Sequence, residues 1–417
     1  MPSGQHNGPV SDDRTPAGLA AWLVAADGPR QDAREVLAAT PKDPLAAGGA
    51  LRRRHPDLAA DQAAAVLEQA TLAALAADRY GITEPLLLTR DGLEAATRPA
   101  VAARRARLLI SSGARRVVDL TAGLGFDARS FAAAGLDVVA VERDPVTAAY
   151  LRHNCPTVQV IESDATDATV LADLLGGLGP EDVVFVDPAR RDPAGPRDRA
   201  TGRARPERDP ERWSPPWSFV AALPHPRIAA KASPGFTPPP HWAAEWVSID
   251  RTLVESTAYS WPAIASARQA VVLSPGLETL VPVTASSLAV AADLGAWIHE
   301  PDPAVLRAGA LASLAEQEGL LAVDPASTWL TGDRPSTSPA LRSHLVVERL
   351  TGSERQQRRR LADLDVRRAT VKCRDVDAEP GKVLRGLGLT EGPGLVLALT
   401  RHDGQAITLL VEPAAAR

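Results

Sequence analysis

Two kinds of residue in the first half of the chain could bind a ligand: glycines in a tight turn and acids that follow apolar runs. The turn reads Asp119-Leu120-Thr121-Ala122-Gly123-Leu124-Gly125-Phe126-Asp127. Gly123 and Gly125 lack a Cβ atom, so the backbone can adopt positive φ and a ligand can approach it closely. The N–H groups at the start of the helix predicted to follow would face that ligand, and such a helix N-terminus suits a nucleotide-like molecule.

Acidic residues also follow three further apolar runs that we predict to be strands. Residues 137–141 are followed by Glu142, residues 158–161 are followed within a few positions by Asp164, and residues 183–186 end at Asp187-Pro188. Open α/β sheets bind ligands at the C-terminal ends of their strands, so we expect these acids to share one edge. Carboxylate oxygens accept hydrogen bonds from hydroxyl and amino groups, which predicts a ligand that carries such donors.

The glycine turn alone leaves several interpretations open. Gly123, Gly125 and Ala128 also satisfy the dinucleotide-binding pattern Gly-x-Gly-x-x-Gly/Ala. A NAD-type Rossmann oxidoreductase is therefore one alternative, and a turn that serves only packing is another. Asp119 within the first strand and the Asp-Pro pair after the fourth argue against the oxidoreductase. A third alternative is a non-catalytic RNA-binding or scaffold protein with a decayed pocket.

The order Asp-x-x-x-Gly-x-Gly, an acid ending strand two, an acid after strand three and Asp-Pro after strand four resembles class I S-adenosylmethionine-dependent methyltransferases. The resemblance implies that S-adenosyl-L-methionine is the cofactor. It implies that the turn holds the methionine part, that Glu142 binds the ribose hydroxyls and that Asp164 faces the adenine amino group. The residues implied in cofactor binding are Asp119, Thr121, Gly123, Gly125, Phe126, Asp127, Glu142, Arg143, Asp164, Ala165 and Asp187.

The turn after predicted strand four is the candidate catalytic site, with Asp187, Pro188 and Arg190 as its residues. Proline biases the preceding residue towards an extended backbone, which aims Asp187 outward from the strand end. Similar enzymes that act on base nitrogens often have a second proline and an aromatic residue here, where this chain has Ala189 and Arg190. Arginine can stack on a base or hold a phosphate. We expect Asp187 to orient the nucleophile or to accept its proton.

Composition excludes several classes of protein. The chain has 417 residues, 45% of them hydrophobic, and a net charge of -5, which suits two or three domains without a global basic field. Cys155 and Cys373 are far apart, outside any metal-ligand spacing and away from strand four, so we expect no metal site, no disulfide framework and no cysteine nucleophile. The N-terminus is polar and no run of 18 apolar residues occurs, which predicts a cytoplasmic protein without a membrane span.

The helices and strands predicted around these residues indicate an α/β fold with four parts. A disordered tail at 1–16 precedes a helical N-terminal domain at 17–95, in which Asp61 can cap a helix. A Rossmann-like methyltransferase domain with a seven-stranded sheet follows at 96–280, its last three strands near residues 227–233, 245–249 and 269–273. Its first helix could line the cofactor pocket or present a solvated face, and it carries Arg98, Arg104, Arg105 and Arg107.

The fourth part, residues 281–417, is predicted to be a compact α+β module that ends in a hairpin around Asp403-Gly404. The run Glu300-Pro301-Asp302-Pro303-Ala304, with residues 327–332, resembles bacterial methyltransferases that carry a C-terminal THUMP-like domain. THUMP domains proper are associated with RNA binding. The predicted helices within it include residues 304–318 and 353–364. Three arginines lie on one face of the helix predicted at 353–364, and they either contact phosphates or are exposed to solvent: Arg355, Arg358 and Arg359.

A polar insertion at 193–216 follows the candidate catalytic turn and is rich in arginine and proline. It could be a mobile lid, an RNA contact or a solvated insertion whose charges are offset by its acids. With the resemblances, these features predict an S-adenosylmethionine-dependent methyltransferase that modifies a base in structured RNA, either rRNA or tRNA.

Overall fold

The computed structural model describes residues 15–40, 43–190 and 207–414. The chain divides into two compact units, Met1–Lys231 and Ala232–Arg417, which we describe separately. Most of the predicted disordered tail and most of the predicted arginine-rich insertion, including its residues 193–206, lie outside the described residues.

The first unit begins with five helices, which the sequence predicted as a helical region. Thr15 and Asp43 cap two of them, because their side chains accept hydrogen bonds from the N–H groups of Gly18 and Ala46. Gly81 ends the longest one in the left-handed conformation at φ 67°. The helices are α1 (Pro16–Ala25), α2 (Asp27–Ala39), α3 (Pro44–Arg54), α4 (Ala60–Tyr80) and α5 (Arg90–Ala95).

The predicted cap at Asp61 is wrong. Helix α4 begins at Ala60 and its N-cap is Ala59. The N–H of Ala59 donates to the Gln62 side chain at 3.2 Å. Gln62, and not Asp61, therefore supplies the side-chain acceptor at the start of the helix. The Asp61 carboxylate accepts instead from the N–H of Gln62.

These helices share a hydrophobic core with the glycine turn. Leu124 of the turn packs in the same buried cluster as residues of α1 to α5. Asn154 reinforces the contact, since its side chain binds both backbone groups of Leu87 and the carbonyl of Leu124 at 2.8–3.1 Å. The N-terminal helices therefore brace the turn from behind.

A parallel sheet completes the first unit, and four of its five strands, β1, β2, β4 and β5, are mostly apolar and buried, as expected for strands covered on both faces, whereas the edge strand β3 is partly exposed. The strand order is β3-β2-β1-β4-β5. The direction of winding reverses between β1 and β4, and open α/β sheets bind ligands at such a switch point. The elements are α6 (Pro99–Ser111), β1 (Arg116–Asp119), α7 (Phe126–Ala133), β2 (Asp137–Glu142), α8 (Pro145–Asn154), β3 (Gln159–Glu162), α9 (Ala168–Gly176), β4 (Val183–Val186), a 3-10 helix (Pro210–Arg212), α10 (Trp217–Ala221) and β5 (Ile228–Ala232).

The second unit begins with four strands in the order β7-β6-β8-β9, in which only the β6–β8 pair is parallel. They are β6 (Ala243–Ile249), β7 (Thr252–Tyr259), β8 (Arg268–Ser274) and β9 (Leu277–Pro282). All seven predicted strands are confirmed, and β7 and β9 are additional. Asp250 and Arg251, at φ 47° and 62°, form the tight turn that connects β6 to β7.

A second sheet follows in the order β11-β12-β10-β13-β16-β15-β14. The helix predicted at 304–318 is divided in two, because Gly309 ends its first part at φ 74°. No helix within the described ranges is long and apolar enough to cross a membrane. The elements are β10 (Trp297–Pro301), α11 (Pro303–Ala308), α12 (Leu311–Glu318), β11 (Leu321–Ala322), β12 (Leu330–Gly332), β13 (Leu341–Leu350), α13 (Glu354–Asp363), β14 (Arg368–Cys373), α14 (Pro380–Leu387), β15 (Thr390–His402) and β16 (Gln405–Pro413).

Candidate functional site

The two glycines of the turn between β1 and α7 have different roles. Both have positive φ, 55° at Gly123 and 85° at Gly125. A Cβ atom on Gly125 would lie 2.5 Å from the side chains of Cys155 and Leu151, so this glycine is required for packing against α8. A Cβ atom on Gly123 would have no neighbour within 4 Å among the described residues. Gly123 therefore leaves open space where a ligand can approach the backbone.

Glu142, at the end of β2, lies directly beside this open space. Its carboxylate accepts hydrogen bonds from the N–H groups of Gly123 at 3.0 Å and Asp144 at 2.8 Å. Burial raises the pKa of Glu142, and these two hydrogen bonds oppose that shift. The two bonds also fix the orientation of the carboxylate, which has further lone pairs for a ligand.

Asp164 is exposed after the end of β3. Its carboxylate accepts from the N–H and the hydroxyl of Thr166 at 2.9 and 2.7 Å. These hydrogen bonds lower the pKa of Asp164, with a smaller contribution from the charge of Arg143. Ala165 next to it is buried. The acids after β2 and β3 are thus both held as acceptors by local hydrogen bonds.

A buried ionic network lies between the glycine turn and the end of β4. We define it as Thr97, Arg105, Asp127, Asp187 and Lys231. The Lys231 ammonium donates to Asp187 Oδ2 and to the Thr97 hydroxyl, each at 2.6 Å, and lies 3.6 Å from Asp127 Oδ2. Thr97 in turn donates to Asp127 at 2.6 Å, and Arg105 forms a close ion pair with the same carboxylate. The charges of Arg105 and Lys231 lower the pKa of Asp127 although its burial acts in the opposite direction.

Asp119 ends β1 close to this network, and only 1% of it is exposed. Burial, together with the negative charge of Asp127, raises the pKa of Asp119 well above its ordinary value. Its carboxylate accepts from the N–H of Thr121 at 3.1 Å, and the Thr121 hydroxyl accepts from the N–H of Asp187 at 2.6 Å. The turns after β1 and β4 are therefore connected through Thr121.

The structure thus brings Asp119, Asp127 and Asp187 together, as the sequence pattern predicted, and adds residues that the pattern missed. Lys231 was assigned only to a strand. A single lysine inside the apolar run of β5, in a chain with four lysines, was the available signal. Arg104 and Arg105 are buried, so the solvated-face alternative is wrong for these two arginines of α6.

The backbone after β4 is held by the chain that returns to it. Ala189 and Ser214 exchange two backbone hydrogen bonds, at 2.8 and 3.0 Å, and the Arg190 carbonyl accepts from Glu207 at 2.7 Å. Pro188 is buried, whereas Arg190 is half-buried. This pairing fixes the main chain of the predicted catalytic turn, in which the Arg190 side chain stays partly exposed.

Cys155 has no features of a nucleophile. It is buried behind the turn, where its thiol donates weakly to the Gly125 carbonyl at 3.6 Å. Burial raises the pKa of Cys155 to about 12, so the thiol stays protonated at neutral pH. Cys373 lies in the second unit, on β14, and burial raises its pKa as well. Within the described residues, no group of three His, Cys, Asp or Glu side chains is placed to hold a metal ion.

Comparison with known proteins identifies the family. A model of S-adenosylmethionine-dependent methyltransferases matches residues 96–189, and a THUMP domain-like model matches residues 341–413. An uncharacterized S-adenosylmethionine-dependent methyltransferase of Mycobacterium tuberculosis, matched in strains CDC 1551 / Oshkosh and ATCC 25618 / H37Rv, is 30% identical over 319 residues. The alignment covers 76% of this chain and 84% of that protein.

A crystal structure described as a methyltransferase from Porphyromonas gingivalis W83 has a similar fold, with a TM-score of 0.67 at 21% identity. The similarity covers 86% of this chain and 92% of the other. The matches to whole proteins and to the first half of the chain are to methyltransferases and do not favour the NAD-type oxidoreductase alternative. The chain belongs to the family of S-adenosylmethionine-dependent methyltransferases with a C-terminal THUMP-like domain, and its cofactor is S-adenosyl-L-methionine.

Proposed function

We propose that the protein methylates a base in structured RNA, either rRNA or tRNA, in the cytoplasm. The observation that supports RNA most directly is the THUMP domain-like match at residues 341–413, which includes an exposed basic helix face. That face consists of Arg355, Arg358 and Arg359 on α13, all exposed. Positive side chains on one helix face can neutralise consecutive phosphates.

The residues around Gly123 fit the cofactor. The space beside Gly123 would be filled by any side chain, and Glu142 presents a fixed carboxylate next to it. Burial and the charge of Asp127 raise the pKa of Asp119, so a positively charged ligand beside it would favour its carboxylate form. S-adenosylmethionine has a sulfonium and an ammonium group, and it supplies a methyl group that is already activated for transfer.

We assign the cofactor contacts to three segments. Asp119, Thr121 and Gly123 would hold the methionine part. Glu142 would accept hydrogen bonds from the ribose hydroxyls, with Arg143 beside it, and Asp164 with Ala165 would face the adenine. Phe126 begins α7 and Gly125 packs behind the turn, so these two would shape the pocket.

For Asp127 the structure suggests a change to the predicted role. One oxygen of its carboxylate is engaged by Arg105, and the other accepts from Thr97 and lies 3.6 Å from Lys231. A direct bond to the cofactor is therefore not supported by its contacts. We propose that Asp127 instead fixes Lys231, which in turn fixes Asp187.

Asp187 remains our candidate for the chemical step. Lys231 occupies Oδ2 of its carboxylate, and Thr121 holds its backbone N–H, so Oδ1 is the oxygen we assign to the nucleophile. In this role Asp187 orients the substrate nitrogen or oxygen, or accepts its proton. Pro188 stiffens the turn, and Arg190 at its edge would stack on the base or hold a phosphate. Most of the rate enhancement would come from alignment.

The experiment that tests this function is single-turnover methyl transfer to total RNA from a strain that lacks the gene. The wild-type protein should transfer methyl groups, and mass spectrometry of the RNA nucleosides should identify the modified base. Asp187→Asn should lower the single-turnover rate by roughly 10²–10⁴-fold, because it removes the charge and basicity of the carboxylate. Its affinity for the cofactor should stay nearly unchanged.

Two results would contradict the proposal. Absence of transfer by the wild-type protein to this RNA would reject RNA as the substrate and would revive the non-catalytic alternative. A near-normal rate for Asp187→Asn at saturating cofactor would remove Asp187 from the catalytic residues and would leave alignment as the whole contribution of the protein.

A further inference from the structure

A cluster of positive charge surrounds one buried carboxylate in the second unit. The Glu300 carboxylate, at the end of β10, forms a close ion pair with Lys372. It also lies 3.4 Å from Arg374 and 3.5 Å from Arg251. Only 7% of the Glu300 side chain is exposed, whereas 20–36% of each cationic side chain is exposed. We call Arg251, Glu300, Lys372 and Arg374 the Glu300 cluster.

The Glu300 cluster lies on the concave face of the second sheet, which is curled. Glu300 is on β10 and Lys372 is on β14, and three strands, β13, β16 and β15, lie between them in the hydrogen-bonded order. Four strand spacings would separate these residues by about 19 Å in a flat sheet. Their ion pair therefore requires the sheet to curl, so Lys372 meets Glu300 across the concave face.

The positive charge exceeds what the neighbouring acids neutralise. Asp302 and the exposed Arg342 also interact electrostatically with Arg251. Four cationic side chains thus accompany two carboxylates, Glu300 and Asp302. His344, whose ring lies 3.9 Å from Glu300, adds no charge at neutral pH, because burial lowers its pKa. The cluster, counted together with Asp302 and Arg342, therefore has an excess of two positive charges in a partly desolvated place.

Two further observations show that this excess is unfavourable in the free protein. Burial lowers the pKa of Lys372, and the charges of Arg342 and Arg251 lower it further, although Glu300 opposes them. The Nη1 atom of Arg251 is buried and has no hydrogen-bond partner among the described residues. An anion would relieve both the repulsion and the unsatisfied donor.

We propose that the Glu300 cluster is a phosphate-binding site that receives a phosphodiester of the RNA substrate. Arginine and lysine together are the donors that proteins use for phosphate, and the partly exposed Arg374 can present parallel N–H groups. Arg251 offers its Nη1 atom, because its Nη2 atom donates to the carbonyls of Glu300 and Pro301. Glu300 keeps the cations together in the free protein. The RNA part of this inference rests on the proposed function, whereas the phosphate site itself does not.

The first experiment measures phosphate binding by the full-length protein, using inorganic phosphate with chloride at matched ionic strength as the reference. Arg374→Gln should weaken phosphate binding at least fivefold, since this partly exposed side chain contributes one of the donors. Arg349→Gln removes an exposed arginine at the other end of β13 from Arg342 and should leave the affinity unchanged. Glu300→Gln, where the variant folds, should tighten phosphate binding, because it removes the competing negative charge.

Equal phosphate affinities for the wild type and Arg374→Gln would overturn the site, and so would an equal loss in Arg349→Gln. A second arm measures binding to total RNA across salt concentrations. Arg374→Gln should weaken that binding and should reduce the salt slope by about 0.7–0.9, the value of one phosphate contact.

The two arms separate this inference from the proposed function. Loss of phosphate binding in Arg374→Gln without any effect on RNA binding would show that the bound phosphate is not a phosphodiester of RNA. The site would then bind free phosphate or a nucleotide. Phosphate binding with the predicted order of variants in a protein that binds no RNA would reject the proposed function but support the site. RNA binding that Arg374→Gln leaves intact, with no phosphate binding by the wild type, would reject the site alone.

Discussion

Replacement of Lys231 by methionine tests whether the buried ionic network positions Asp187. Methionine keeps much of the length and apolar character of the lysine stem but removes the ammonium group. That group donates to Asp187 and Thr97 at 2.6 Å and lies 3.6 Å from Asp127. The variant therefore leaves Asp187 without its ion pair and leaves Asp127 with Arg105 as its cation.

The size of the effect follows from the burial of the two carboxylates. Removal of one partner from a fully buried ion pair costs about 3–5 kcal/mol. Asp187 is 24% exposed and can be rehydrated, and Asp127 keeps its bond to Arg105. We therefore expect the free energy of unfolding to fall by about 3 kcal/mol, at the lower end of that range. A freed Asp187 carboxylate would also misplace the nucleophile, and an error of about 1 Å can reduce the rate about 10²-fold.

The assay combines denaturant unfolding with single-turnover methyl transfer, in Lys231→Met, Asp187→Asn and the double variant. Because Lys231 is expected to act through Asp187, the two losses of rate should not multiply, and the double variant should be close to the slower single variant. Lys382→Met is the matched control. Its side chain is 73% exposed and forms an ion pair with Glu379 at the start of α14, so we expect a loss of stability below about 1 kcal/mol and an unchanged rate.

Losses that multiply in the double variant would refute this reasoning, since they would mean that Lys231 and Asp187 act independently. A stability of Lys231→Met equal to that of the Lys382→Met control would show that the network contributes nothing to folding. A wild-type rate in Lys231→Met would show that Asp187 needs no ion pair to hold its position.

Two further predictions concern the cofactor and the RNA. Because the pKa of Asp119 is raised in the free protein and a positively charged cofactor favours its carboxylate form, cofactor affinity should fall by up to about tenfold per pH unit below that pKa and level off above it. Calorimetry in buffers of different ionisation enthalpy should detect proton release, which Asp119→Asn should abolish, and pH-independent binding by the wild type would contradict this. Replacement of Arg355, Arg358 and Arg359 by glutamine should weaken RNA binding and reduce its salt slope by about 0.7–0.9 per phosphate contact, whereas an unchanged slope would indicate a solvated face.

The parts of the fold that could be predicted are those where a local pattern and the final structure agree. Most strands of the first unit have largely apolar runs, and their acids lie where parallel strands must end, so the sequence predicted that Asp119, Glu142 and Asp187 share one edge of the sheet. The strand β7 was missed because Thr252–Tyr259 mixes polar and apolar residues on a strand whose second half is nevertheless buried. Its burial depends on neighbouring strands that no local pattern specifies.

The ionic network could not be derived from spacing at all. Thr97, Asp127 and Lys231 are separated by 30 residues or more, and only the tertiary fold brings them together. Arg105 shows the same limit, since composition made it resemble a surface arginine, whereas Asp127 and the ring of Phe185 hold it in the interior. Whether a charged side chain is buried depends on its partners, and a single sequence does not show which distant residues those partners are.

The central claim, that the cofactor binds in the open space beside Gly123, is tested most directly by calorimetric titration with S-adenosylmethionine. Gly123→Val places a branched side chain in that space. Gly135→Val is the matched control, because Gly135 also has positive φ, at 96°, and an open Cβ position, but lies before β2 at the other end of the strand. We predict that the wild type and Gly135→Val bind the cofactor and that Gly123→Val does not, with all three folded. Binding by Gly123→Val with the affinity of the wild type would contradict the account.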